Sequence, residues 1–83
     1  MSEHVRELKA NFIEAEERYR EAYRRAVWVE RQLLDAPTTQ AFDELSVILK
    51  DLERLVFELG EKAQIARVAY VQAEMSDRMK KGA

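Results

Sequence analysis

Cysteine is absent from the chain, and 83 residues include only two glycines, one proline and one histidine. Each shortage excludes a class of protein. Without cysteine there is no disulfide framework and no thiol nucleophile, which fits a reducing compartment. So few glycines and prolines cannot supply a β-sandwich or barrel, whose turns recur every ~8–12 residues. Collagen-like and low-complexity disordered chains are excluded by the same composition. No purely apolar run exceeds four residues, as at Ala26 to Val29, whereas a membrane span needs about 20 and a signal-peptide core about 7–15. The start, Met1-Ser2-Glu3-His4, is polar and acidic. An excess of one charge is missing as well. Fourteen Lys and Arg stand against sixteen Asp and Glu, for a net charge of −2. Residues 1–36 and 37–83 each hold seven bases and eight acids. A dedicated nucleic-acid domain usually carries a strong basic bias. The expectation is a cytoplasmic protein that uses neither a membrane nor, on balance, nucleic acid.

What is present is helix-forming. Hydrophobic residues make up 47% of the chain and charged residues 36%. The one strong break is Asp35-Ala36-Pro37-Thr38-Thr39. Pro37 has no N–H and disfavours helical geometry at Ala36, so a first helix over about 3–35 ends there. Thr38 or Thr39 can cap a second helix over about 40–80, with Asp43 and Glu44 well placed in its first turns. A turn of about 36–39 between long helices makes them antiparallel neighbours.

Both segments carry an uninterrupted 3,4 repeat of apolar residues. The first runs through Val5, Leu8, Phe12, Ala15, Tyr19, Ala22, Ala26, Val29, Leu33 and Ala36. The second comprises Phe42, Leu45, Leu49, Leu52, Val56, Leu59, Ala63, Ala66, Tyr70 and Ala73. These are coiled-coil-type seams, with a period no strand can use. Folding back at Pro37 sets large residues opposite small ones: Ala26 faces Leu49, Ala22 faces Leu52 and Ala15 faces Leu59. Toward the open end Phe12 faces Ala63, Leu8 faces Ala66 and Val5 faces Tyr70. Such alternation fills a seam without voids. Tyr19 opposite Val56 is the one layer of two large residues. Gly60 interrupts the second helix, either as a tolerated glycine that allows close approach near Ala15 or as a hinge with a kink. The expected fold is therefore all-α: an antiparallel two-helix hairpin forming a single domain over residues 1–83.

More apolar surface is present than one hairpin can cover. On the first helix Ile13, Val27 and Leu34 fall on one seven-residue repeat beside the seam, with Arg20 at the step between the first two and Tyr23 between the line and the seam. Ile48 and Leu55 widen the stripe of the second helix, and Ile65, Val68, Gln72, Met75 and Met79 recur on its opposite side, with Val71 adjacent. Trp28 and Phe57 point away from both seams. So small a chain buries only about 60% of its unfolded surface alone. Pairing of two hairpins into a homodimeric four-helix bundle answers both problems. Helix lengths of about 51 and 66 Å leave residues from about Glu74 to Lys81 overhanging. There Met75 and Met79 beside Arg78, Lys80 and Lys81 read either as a frayed end suited to the helix dipole or as an adaptable docking segment.

Chemistry is scarce. His4 is alone near the start, no Glu-x-x-His pair of di-iron bundles exists, and no glycine-rich loop can hold phosphate. Paired carboxylates such as Glu16 with Glu17 lie among bases and read as solvated. No catalytic, cofactor-binding or metal-binding residue is predicted, and no enzyme. The most suggestive polar stretch is Arg18, Tyr19, Arg20, Tyr23, Arg24, Arg25, Trp28 and Arg31, since Arg with aromatics is hot-spot vocabulary. Glutamates interleave with it: Glu14 to Arg18, Glu16 to Arg20 and Glu21 to Arg25 are i,i+4 pairs in the favoured order. Trp28, Arg24 and Arg31 fall outside those pairs.

In size and hairpin form, without a shared motif, the chain resembles several classes. The Rop-type RNA-binding regulators are dimers of short helical hairpins. Type III secretion needle subunits and co-chaperones are similar in length with a proline in the turn, although Asp35-Ala36-Pro37-Thr38-Thr39 lacks their second one. The Trp-x-Gly turn of the secreted hundred-residue hairpins is missing, since Val29-Glu30 follows Trp28. Small phage-encoded proteins that disable a host protein look like this chain in being compact, helical and cysteine-free. The leading expectation is a protein-binding adaptor, inhibitor or regulator, with Tyr23, Arg24, Val27, Trp28, Arg31, Phe57, Ile65, Val68, Val71, Met75 and Met79 as its partner-binding or dimer surface. A Rop-like nucleic-acid binder, or a secretion subunit or co-chaperone, is the alternative.

Overall fold

The computed structural model describes residues 2–82, with side-chain surroundings through residue 80. Two α-helices account for nearly all of it: α1, Glu3–Leu34, and α2, Thr39–Gly82. Both starts are capped by a hydroxyl. Ser2 is extended, and its Oγ accepts from the Val5 N–H at 3.2 Å, satisfying a donor left free by the helix geometry. Thr38 does the same for α2, its Oγ1 accepting from the Ala41 N–H at 3.1 Å. At the other end of α1 the Ala36 N–H donates to the Leu33 carbonyl at 3.2 Å, tightening the last turn before Pro37 stops the helix.

The helices pack side by side into a rod of 66 × 15 × 13 Å. A straight helix of the length of α2 would measure about 66 Å, so α2 sets the long dimension and runs unbroken through Gly60. The core is the line where the two seams meet. Every seam position of α1 is buried or half-buried, from Val5 to Ala36. On α2 the same holds from Leu45 to Ala73, while Phe42 is 48% exposed. Its side chain leans toward the start of its own helix, and at the first turn of α2 that direction leads past the end of α1. Only Val5, Ala22, Val29 and Ala63 are truly buried among the described residues.

The open end departs from the expected layers in two ways. Phe12 stacks on Tyr70, ring centroids 6.2 Å apart and planes 18° off parallel, where the size alternation paired each with a different residue. In an antiparallel pair, side chains of the two helices lean toward opposite ends of the rod. Two long rings can therefore meet at a level between backbone positions that are not themselves opposite. The end of α2 is also less free than equal-rise arithmetic implies. Ala73, Ser76, Asp77 and Lys80 share a shallow depression with Ser2, His4 and Val5, because α2 side chains lean back over the start of α1. Val5 is only 2% exposed as a result. No helix among the described residues is long and apolar enough to cross a membrane.

Candidate functional site

The predicted surface residues do not form one site. Tyr23 and Arg24 line a depression on α1 together with Tyr19 and Arg20, and the Tyr19 and Tyr23 rings tilt against each other at 6.2 Å. Phe57, 66% exposed, lines a second depression of about 440 Å3 with Tyr19, Val56, Gly60 and Gln64, flanked by Glu53 and Glu61. Tyr19 is the wall common to both, so the two lie on one broad face of the hairpin. Val27, half-buried, follows Tyr23 by four residues on that side of α1.

Trp28 lies elsewhere. It is five residues beyond Tyr23, about 140° further round the helix, and is 62% exposed. Arg31 is exposed toward the back of α1. The Ile65, Val68, Gln72, Met75 and Met79 stripe follows the flank of α2 turned from α1, with Val71 adjacent, seven residues beyond Gln64 on the side of Phe57. Its apolar members are 43–75% exposed, with Met79 the most open. The candidates thus divide between the Tyr19, Tyr23 and Phe57 face, the back of α1 where Trp28 lies between Arg24 and Arg31, and the back of α2.

Gly60 takes a definite role in this arrangement. Its φ is not positive, so no special backbone geometry requires glycine there. A Cβ would sit 3.7 Å from Tyr19 Cε2, an ordinary van der Waals contact. Close helix approach is therefore not what the glycine allows. Its missing side chain instead leaves the floor of the groove open beneath Tyr19 and Phe57. Tyr19, Gly60, Glu53, Glu61 and Gln64 were not among the expected surface residues. The available signal was a glycine three residues after an outward phenylalanine, opposite a seam tyrosine.

Three ion pairs lie within α1, in its middle turns. Arg18 donates to Glu14 at 2.7 Å and Arg25 to Glu21 at 3.2 Å, and Arg20 pairs with Glu16. Arg24 and Arg31 on α1, and Glu53 and Glu61 on α2, have no ion pair among the described residues. Near the open end Glu74 binds Arg78 and also accepts from the Tyr70 hydroxyl. That hydrogen bond, with some desolvation and the nearby carboxylate charge, holds the Tyr70 phenol above its ordinary value. Among the described residues no group of three or more His, Asp or Glu could hold a metal ion. No family model matches the chain, and no curated protein or solved structure matches it.

Proposed function

We propose that the chain is a non-catalytic interaction module: a homodimeric helical hairpin, closed into a four-helix bundle, that binds another protein as adaptor, inhibitor or regulator. The observation that carries this reading is the amount of surface. The hairpin exposes 6694 Å2, whereas a compact monomer of this mass exposes about 5,100 Å2. The excess, about 1,600 Å2 per chain or about 3,200 Å2 for two copies, is the scale that obligate partners cover, since such interfaces bury roughly 2,000–5,000 Å2 over both partners. Its chemistry suits proteins, with exposed aromatics and methionines, and an Arg24 without an ion pair among the described residues. The internal pairing of Arg18, Arg20 and Arg25 favours a solvated helix face over a phosphate-binding strip. Docking would use helix surfaces, the back of α2 with Val68 and Met75 foremost.

The test combines oligomeric state with partner capture from the native host. Val68→Asp with Met75→Asp should leave the helices folded and abolish retention of the partner that the unaltered chain captures. If the double variant stays folded and captures that partner undiminished, the back of α2 has no binding role.

A further inference from the structure

The face around Tyr19 is self-complementary, and we infer that a second copy of this chain docks there, with the Tyr23–Arg24 ridge of each hairpin in the Gly60 groove of the other. The inference rests on the homodimer proposed above and names the face that forms it. Three features of the face fit one another. Tyr23 projects, 53% exposed, from α1, and Phe57 projects, 66% exposed, from α2. Beside each projection is a depression on the other helix: the Gly60 groove on α2, and the smaller hollow of Tyr19, Arg20, Tyr23 and Arg24 on α1. The ridge side carries Arg24 without an ion pair, and the groove is flanked by Glu53 and Glu61, also without one, among the described residues.

A two-fold axis parallel to the rod brings these together twice over. It lays α1 of one copy on α2 of the other at equal heights, and leaves every helix antiparallel to its neighbours, the favourable arrangement for their dipoles. Measured from the turn, Arg24 stands about 15 Å along α1 and Glu53 about 21 Å along α2. In α1 side chains lean away from the turn and in α2 toward it, so the guanidinium and the carboxylate converge. Phe57, about 27 Å along, leans back in the same way to the level of Tyr19 and Tyr23 on the facing α1. Each hairpin supplies one ridge and one groove, so the contact closes as a dimer and does not propagate. Trp28 and the Ile65, Val68, Met75 and Met79 line stay outside it, free for a different protein.

Sedimentation equilibrium of the full chain tests the assignment. Phe57→Asp should weaken the dimer on the order of 100-fold, since an interface anchor is lost at two symmetric places. Arg24→Glu should weaken it about 10-fold, and adding Glu53→Arg should restore it. Trp28→Ala and Met75→Asp should leave it unchanged. A dimer indifferent to Phe57→Asp, or one weakened by Arg24→Glu and not restored by Glu53→Arg, overturns this face while the homodimer stands. So does a dimer dissociated by Met75→Asp. A monomeric unaltered chain overturns the homodimer itself, and this face with it. The reversal and its restoration alter exposed residues only, so they stay informative even if Phe57→Asp is poorly folded.

Discussion

The two helices divide the work unequally. α1 is strongly amphipathic, with one apolar side turned to its partner and three glutamate–arginine pairs along its middle turns. α2 is only weakly so, because it is apolar on more than one side. Of the large hydrophobic residues exposed among the described residues, Ile13, Tyr23, Trp28 and Leu34 belong to α1, and the other ten belong to α2. A helix with one stripe is satisfied by one neighbour; a helix apolar on several sides asks for more. In this chain α1 completes the hairpin, and α2 both completes it and presents what remains.

That contrast breaks most sharply at the seam. Ala63→Asp, placing a charge where α2 meets α1, should cost about 4 kcal/mol or more and unfold the hairpin, whereas Met79→Asp on the back of the same helix should stay within about 0.5 kcal/mol. Urea titration followed by helical circular dichroism separates the two, and equal losses would mean that the back of α2 is as structural as its front. Phe12→Ala should lose about 2 kcal/mol, less than a fully buried ring because Phe12 is half-buried. The same assay reads it, and a loss below 0.5 would show that the stack on Tyr70 contributes nothing beyond contact.

Gly60 offers a change of opposite sign. A helical glycine costs about 1 kcal/mol relative to alanine, and the added Cβ meets Tyr19 at ordinary distance. Gly60→Ala should therefore raise the melting temperature by about 4–8 °C at matched protein concentration. A fall would indicate that the groove floor, or a bend at that point, is needed for stability.

The smallest effect concerns Tyr70. Its hydrogen bond to Glu74 raises the phenol's affinity for its proton in the folded chain. A folded value above the unfolded one contributes stability that is complete below the phenol's ordinary value of 10.0 and lost as pH rises through the folded value. Tyr70→Phe should thus lower stability by a small, pH-independent amount below about pH 10 and lessen the alkaline loss above it. A difference that persisted unchanged above about pH 10 would place the effect in ring packing and not in the hydroxyl.

The residue pattern alone determined the all-α class, the stop at Pro37, the hydroxyl cap at the next helix, the internal Glu–Arg pairs and the two seams. All of these depend on neighbours three or four positions apart or on the backbone chemistry of one residue, and such information is local. The candidate surface was legible residue by residue but not as an arrangement. Tyr23 read as lying beside the seam and Phe57 as pointing away from it, yet the two share one face of the hairpin. Tyr19 read as core and proved to be the wall shared by two hollows.

Only the tertiary structure decided what meets across the seam: Phe12 on Tyr70, Tyr19 over Gly60, and Ser76 and Asp77 beside the start of α1. A seam specifies which stripe faces inward, but the level at which two side chains touch depends on their lean along two opposed helices. That lean belongs to the pair of helices, so neither segment encodes it alone.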